Sequence, residues 1–403
     1  MRYDFDEIID RSGTDSLTIE GWREYMFGGH TGGLPTAPEG GFINLWVADM
    51  AFATPQPVLD AVHERLNKKI LGYTRAYNPV YQEIFGGWCQ RHYGYRFAPE
   101  SIVLSPGIIP ALNRLVTLLT RENESVLILT PSYAPFKKAG EYSGRRVVSC
   151  PMVYACGEMS VDFSDLERLV KDPELGIKVF FLCNPHNPTG RVWRRDELQR
   201  MAEICLQNDV WVISDEIHCD LSRTGIKHTP AASLFPDSNK IITCMSSSKT
   251  FNLAGNLLAH IMIPDPVIRT SWLRLYDDML SPLSLVANLA AWSQCDDWLT
   301  QVRQYIDGNF VFLRAWLEEH HPQVRFDIPD GTYLAWLDLS PLSAVSGKEY
   351  TSLYFAQQSG ILVEDAGMFV GNGDGHIRLN LACPRAMLEE GLRRLTRSLN
   401  THF

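Results

Sequence analysis

From residue 101 onward the chain alternates short apolar runs with longer stretches of helical spacing. Ile102-Val103-Leu104, Val126-Leu127-Ile128-Leu129, Val179-Phe180-Phe181-Leu182-Cys183, Val210-Trp211-Val212-Ile213, Ile241-Ile242-Thr243-Cys244-Met245 and His260-Ile261-Met262-Ile263 each read as a buried strand. Continuous apolar strands separated by helices, such as the one predicted over 108–119, indicate a mostly parallel sheet covered on both faces. The expected fold class is therefore α/β. In such sheets ligands sit beyond the carboxyl ends of the strands. Tyr133, Asn187, Asp215 and Lys249 all fall just after a predicted strand end, so the pattern predicts that they converge on one site.

The flanking segments read differently. Val58, Ala61, Val62, Leu66 and Ile70 follow helical spacing behind Pro55 and Pro57, which suit a first helical turn. Tyr81, Ile84, Phe85 and Trp88 predict a second helix. Residues 1–45 read as irregular, because Gly28-Gly29-His30-Thr31-Gly32-Gly33-Leu34-Pro35 suits neither a helix nor a central strand. Ile8, Ile9, Trp22, Tyr25 and Phe27 give this arm anchors for packing on another domain or subunit. Beyond about residue 296, a long helix from Trp298 to about Glu319, a strand pattern in 331–337, strand-like Ile377-Arg378-Leu379 and a closing helix predict a smaller α+β domain. The expected division is 1–48 (arm and part of the small domain), 49–296 (large domain) and 297–403 (C-terminal small domain).

Composition narrows the function classes. With 403 residues, 45% hydrophobic and 21% charged, the chain can bury a large core. The net charge of -10, a pI near 5.6 and the lack of a long basic run speak against nucleic acid or an acidic membrane surface as partners. No apolar run reaches the roughly 18 residues of a membrane span, and the acidic start Met1–Glu7 has no apolar segment of a secretory signal. The nine cysteines form no C-x-x-C pair and sit mostly in apolar runs, for example Cys183, Cys205 and Cys244. They read as reduced core thiols of a cytoplasmic protein.

The candidate chemistry centres on Ser246-Ser247-Ser248-Lys249-Thr250-Phe251-Asn252. Burial lowers a lysine pKa because the charged form loses solvation. A neutral lysine can form a Schiff base with an aldehyde cofactor, and the hydroxyls beside it could hold a phosphate. Taken alone the heptapeptide reads first as a serine-rich surface loop. Taken alone, likewise, Asp215 reads as a helix N-cap, Asn187 as a turn residue beside Pro188, and Tyr133 as a core ring.

Further motifs resolve these alternatives together. Asn184-Pro185-His186-Asn187-Pro188-Thr189-Gly190, Ser214-Asp215-Glu216-Ile217-His218, Ser248-Lys249-Thr250-Phe251-Asn252 and Arg378-Leu379-Asn380, in that order, resemble the fold-type I pyridoxal-phosphate enzymes. Trp46-Val47-Ala48-Asp49-Met50, Gly72-Tyr73-Thr74, Pro106-Gly107-Ile108-Ile109-Pro110, His218-Cys219-Asp220, Gly331-Thr332-Tyr333-Leu334 and Asn380-Leu381-Ala382-Cys383-Pro384-Arg385 narrow the resemblance. It is to the MalY/PatB-type carbon–sulfur β-lyases, the cystathionine β-lyase-like branch of the aminotransferase class I/II superfamily. The resemblance spans nearly the whole chain.

It implies a fold-type I transferase fold whose large domain binds pyridoxal 5'-phosphate. Lys249 would carry the cofactor as a Schiff base and take the Cα proton once substrate releases it. Asp215 would pair with the ring nitrogen, Asn187 would reach the ring hydroxyl and the substrate carboxylate, and Tyr133 would stack on the ring. Backbone N–H groups of Gly107, Ile108 and Ile109 would hold the phosphate at a helix N-terminus, helped by Ser246 and Ser248. Tyr73 would reach the phosphate in a neighbouring subunit, making the active unit a homodimer with shared sites. Arg378 would grip the substrate α-carboxylate. His218 stands where many aminotransferases have tyrosine and favours the lyase branch.

The implied reaction is β-elimination from cystathionine or a related L-cysteine thioether, giving a thiol, pyruvate and ammonia. The alternatives are an aminotransferase on the same scaffold and a cofactor-holding regulatory protein that interacts with a transcription factor. Some positions depart from the pattern. Leu257 stands where many aminotransferases carry a phosphate-binding arginine, and the arm's Thr-x-Ser-x-Lys-Trp pattern is broken after Ser16. Ala51 stands where relatives have an aspartate. If that position faces the pocket, neutral or bulky S-substituted cysteines are expected to be handled at least as well as cystathionine.

Overall fold

In the computed structural model, which describes residues 2–28, 36, 38–75, 78–155, 158–275 and 280–400, the apolar runs assemble into a seven-stranded sheet. Its strands are β1 (Ile102–Ser105), β2 (Ser125–Thr130), β3 (Arg146–Pro151), β4 (Ile177–Cys183), β5 (Trp211–Asp215), β6 (Ile241–Met245) and β7 (Ala259–Met262), in the order β1-β7-β6-β5-β4-β2-β3. All neighbours are parallel except β7, which is antiparallel to both β1 and β6.

Successive strand side chains point to opposite faces, and here both faces are dry. Val126 and Ile128 of β2, Val179 and Phe181 of β4 and Ile213 of β5 join one buried cluster, which includes Leu112, Leu115 and Val116 of the helix Ile108–Leu119. Leu127, Leu129, Phe180, Leu182 and Val212 join the opposite cluster, closed by Leu198, Met201 and Cys205 of the helix Arg195–Gln207. Two buried faces require apolar residues at every strand position, which is why these strands are unbroken apolar runs. Strand β3 is the exception. It lies at the sheet edge and alternates exposed with buried residues, so it carries no such run.

Beyond the long helix Asp296–His320 lies a three-stranded antiparallel sheet of β8 (Leu334–Asp338), β9 (Glu364–Asp365) and β10 (His376–Asn380), ordered β8-β10-β9. Fully buried Asn309 ties the long helix to this unit. Its Nδ2 donates to the carbonyls of Leu381 at 2.8 Å and Cys383 at 2.9 Å. The largest apolar cluster runs from Phe5 and Phe52 through Trp88, Phe251 and Trp298 to Leu334, Leu379 and Leu399, joining the arm, the long helix and the small sheet.

Two expectations are corrected. Residues 1–45 are not wholly irregular: Trp22–Phe27 is a helix, ended by Gly28 at φ 65°. The buried Trp22 ring packs 4.8 Å from Phe42 and 6.0 Å from Phe27, so an aromatic cluster holds a helix too short to stand alone. The arm is further fixed by Ile43–Asn44, which pairs in parallel with Ile361–Leu362. Residues 29–35 of the glycine-rich stretch lie outside the described residues. Lys249, expected simply at a strand end, stands one step further on, in the single-turn helix Ser247–Thr250.

Candidate active site

The register of the large sheet brings its strand ends together. Cys183 of β4 is level with Asp215 of β5, and Asp215 with Cys244 of β6. On the other side of β6, Met245 is level with His260, whose neighbour Ala259 is level with Ser105 of β1. The loops carrying Asn187, Asp215, His218, Ser246, Lys249 and Gly107 thus leave the same edge.

Lys249 is enclosed. Its Nζ donates to the Ala48 carbonyl at 2.6 Å, the same oxygen that accepts from the Tyr333 hydroxyl at 2.9 Å. Burial pulls its pKa down, partly countered by the charge of Asp49. The Asp215 carboxyl is buried, accepts from the Ile217 N–H at 3.1 Å, and has no ion-pair partner among the described residues. Burial pushes its pKa up to about 7, with a small opposing pull from Lys249. His218 is buried against the edge of Tyr333, with its Nδ1 unpartnered; burial takes its pKa down to about 3, and the cations Lys249 and Arg378 add to the shift.

Arg378, from β10, is buried. Its Nη1 donates to Asn187 Oδ1 at 2.8 Å and its Nη2 to the Trp46 carbonyl at 3.2 Å, and it is ion-paired with Glu364. The guanidinium also lies 5.1 Å from the ring of Phe369, which is level with Tyr133 in a short strand pair. Burial raises the Tyr133 phenol, and the charges of Glu364, Arg378 and Asp215 also act on it. Lys249, Asp215, His218, Asn187, Arg378 and Tyr133 therefore form one cluster.

The other positions singled out by the sequence have different surroundings. Gly107 precedes the 12-residue helix Ile108–Leu119; Ile108 is buried and Ile109 partly exposed. The Ser246 hydroxyl is committed within its own loop, donating to the Leu258 carbonyl at 2.7 Å and accepting from the Ser248 N–H at 3.1 Å. Tyr73 is fully exposed in the single chain. Leu257 is exposed in a left-handed conformation, φ 48°. Ala51 packs against the central apolar cluster, and its N–H donates to the Ala382 carbonyl at 2.8 Å.

Other parts of the site had no sequence signal. Glu364, buried in a two-residue strand, is one. The Ala48 and Trp46 carbonyls are others, since backbone acceptors leave no mark on residue type. Tyr25, expected only as an anchor of the arm, stands 5.2 Å from the Trp46 ring, and its phenol is shifted upward by burial and by Glu364. Asn252 was visible only as part of a motif. Its Nδ2 donates to the carbonyls of Met50 at 3.1 Å and Phe52 at 2.9 Å, and its Oδ1 accepts from the Met50 N–H at 3.2 Å.

The residues present fit pyridoxal phosphate. A buried carboxyl without a cation suits a protonated ring nitrogen, a buried lysine suits an aldehyde, and the open Nδ1 of His218 and Nε of Arg378 are buried polar atoms awaiting partners.

Comparison with known proteins agrees. The family model for aminotransferase class I and II matches residues 41–395. Cystathionine beta-lyase PatB of Bacillus subtilis is 36% identical over 98% of this chain and all of its own length. Protein MalY of Escherichia coli is 31% identical over 97% of each chain. The crystal structure of the PLP-bound C–S lyase from Staphylococcus hominis superposes with a TM-score of 0.94 at 41% identity, covering 99% of both chains. The chain belongs to the aminotransferase class I and II family, in its branch of PatB- and MalY-type cystathionine β-lyases.

Proposed function

We propose that the protein is a pyridoxal-phosphate-dependent carbon–sulfur β-lyase. It cleaves cystathionine or a related L-cysteine thioether to a thiol, pyruvate and ammonia. The observation that carries this is the buried Lys249 set among Asp215, His218, Asn187 and Arg378, in a chain whose relatives PatB and the Staphylococcus hominis enzyme are lyases of this kind. When bound, the cofactor supplies an electron sink for the substrate Cα.

The chain's residues do the rest. Asp215 would pair with the ring nitrogen, Asn187 and His218 would help hold the ring, and Tyr133 would stack on it. The N–H groups at Gly107, Ile108 and Ile109 would take the phosphate, with Ser246 and Ser248 beside them. Arg378 holds the α-carboxylate beside Asn187, 2.8 Å from its Oδ1. Lys249 Nζ takes the Cα proton, a role suited to an amine whose pKa burial has lowered. The Cβ–S bond then breaks, its electron pair leaving with sulfur, and the residual enamine hydrolyses to pyruvate and ammonia.

The same reading makes the protein a cytoplasmic homodimer with shared sites. Tyr73 is fully exposed beside Ile70 and Leu71, also exposed, which supports a partner covering this surface. The buried free cysteines support a reducing compartment. Domain boundaries near residues 48 and 296 accompany it, supported by the pairing of Ile43–Asn44 with Ile361–Leu362.

Purified protein should be yellow, with an absorbance that borohydride reduction abolishes and Lys249→Ala lacks. With cystathionine it should release pyruvate, ammonia and free thiol in equal amounts. Keto acid formed only with an added acceptor would instead make it an aminotransferase, and a protein that added cofactor cannot colour would overturn the reading. Mixing inactive Tyr73→Ala with inactive Lys249→Ala should restore activity through hybrid dimers. Subunit exchange without restoration would overturn the shared site.

A further inference from the structure

Arg378 has both of its Nη groups already engaged. Nη1 donates to Asn187, Nη2 donates to the Trp46 carbonyl and is ion-paired with Glu364, and Nε is free. A guanidinium grips a carboxylate bidentately along either of two edges, Nη1 with Nη2 or Nε with Nη2. Both edges include Nη2, and its hydrogens face the Trp46 carbonyl and Glu364. A bidentate α-carboxylate must therefore displace one of these two acceptors, and Glu364, the one that carries a negative charge, is the one it competes with for the guanidinium.

Glu364 has little room to leave. Residue for residue it is level with Arg378 across the β9–β10 pair, and its side chain is only 7% exposed. The charged and titratable groups acting around it are Arg378 from β10, Lys249 from the single-turn helix, Asp365 beside it, Tyr25 from the arm and Tyr133 from the strand facing Phe369. Two carboxylates sharing one buried guanidinium leave an uncompensated negative charge, and such pairs relieve it by protonating one member.

We propose that Glu364 occupies Arg378 as an internal carboxylate in the absence of substrate, and takes a proton from solvent when the substrate α-carboxylate displaces it. Substrate binding is thereby coupled to proton uptake. No covalent bond between heavy atoms changes; one proton moves from water to the Glu364 carboxyl. Burial already lifts this carboxyl above the usual range, against the pull of Arg378 and Lys249. The inference rests on the reading of Arg378 as the carboxylate site.

The test uses the holoenzyme and 3-(methylthio)propionate, a thioether acid that lacks the amine needed to react with the cofactor. Calorimetric titration in buffers of different ionisation enthalpy counts the protons taken up. The unmodified enzyme should take up close to one proton per site, and its Kd should weaken by up to about tenfold per pH unit between the free and liganded pKa of Glu364. Glu364→Gln should lose that uptake and bind the probe more tightly at the alkaline end of the range. Its retained yellow colour reports an intact site. No proton uptake by the unmodified enzyme, or equal uptake by the two proteins, would overturn the proposal, as would weaker binding by Glu364→Gln. Arg378→Lys separates the two readings. If it leaves probe affinity unchanged, Arg378 is not the carboxylate site, and both readings fail. If it abolishes binding while uptake does not depend on Glu364, only the present inference fails.

Discussion

Asn252 ties the lysine loop to the segment that places the lysine. It sits at φ 57°, three residues beyond Lys249, and makes the hydrogen bonds to Met50 and Phe52 given above. Two residues before Met50 is Ala48, whose carbonyl holds Lys249 Nζ. Asn252→Ala removes three hydrogen bonds, each worth about 0.5–1.5 kcal/mol net. It also leaves an alanine in a left-handed conformation that asparagine tolerates better, at about 1 kcal/mol. The expected destabilisation is about 4 kcal/mol, measured by urea unfolding of the holoenzyme. Asn252→Gly loses the same hydrogen bonds without the backbone penalty and should unfold with about 1 kcal/mol less loss than the alanine variant. Because Ala48 is released with Met50, kcat should fall in both variants, by about 10- to 100-fold, as expected for a small misplacement of a reacting group. An alanine variant that loses less than about 1 kcal/mol and keeps its kcat would show that the two segments are not coupled through this side chain.

Other perturbations test separate parts of the structure. Glu216 and His228 form a buried pair at 2.8 Å, and Glu216 also accepts from Ser214 and the Ala231 N–H. Glu216→Ala should therefore cost about 3–5 kcal/mol in unfolding measurements. Arg378→Lys keeps the charge but loses the planar fork, so KM for the amino-acid substrate should rise about 10- to 100-fold, with a smaller change in kcat. In cofactor-free protein the Asp215 pKa lies near 7, above its ordinary 3.8, so the fold favours the protonated carboxyl. Its stabilising contribution is complete below about pH 4 and declines as pH rises through about 7. Unfolding across that range should show this decline in the cofactor-free protein and a flatter profile in Asp215→Asn; equal slopes would refute the assignment.

The large sheet was legible because two-sided burial forces an unbroken apolar run, and the clustering of the candidate residues was legible because Asn187, Asp215 and Lys249 all stand where such runs stop. Strand β3 was missed for the converse reason: Arg146, Ser149 and Pro151 face outward at a sheet edge. The helix Trp22–Phe27 was missed because its stability comes from Phe42 and the Trp46 cluster, residues distant in sequence. Glu364 was missed because a two-residue strand has no period, and only the cross-strand register reveals that a carboxylate faces Arg378. The expectation for neutral thioethers was conditional on Ala51 facing the pocket. The structure packs it against the core, so the expected gain for neutral thioethers finds no support in its placement.

Residues 46–50 explain why the site is less legible than the fold. The carbonyls of this strip serve five side chains from both parts of the chain: Trp46 accepts from Arg378, Val47 and Asp49 from Asn380, Ala48 from Lys249 and Tyr333, and Met50 from Asn252. A backbone carbonyl can be supplied by any residue, so the strip's identity constrains little, while its position fixes the distance between Lys249 and Arg378. The Asp49 side chain turns away from this work, bonded to Arg11 at 2.7 Å and Thr18 at 3.0 Å. The strip is thus held on one side by the arm and on the other by Asn252. With Arg378 and Asn187 as the proposed grip on the α-carboxylate, which is the same in every amino acid, selection among thioethers has to come from groups around this strip. Of those, Tyr25 stands 5.2 Å from the Trp46 ring and is separate from the proposed grip of Arg378 and Asn187.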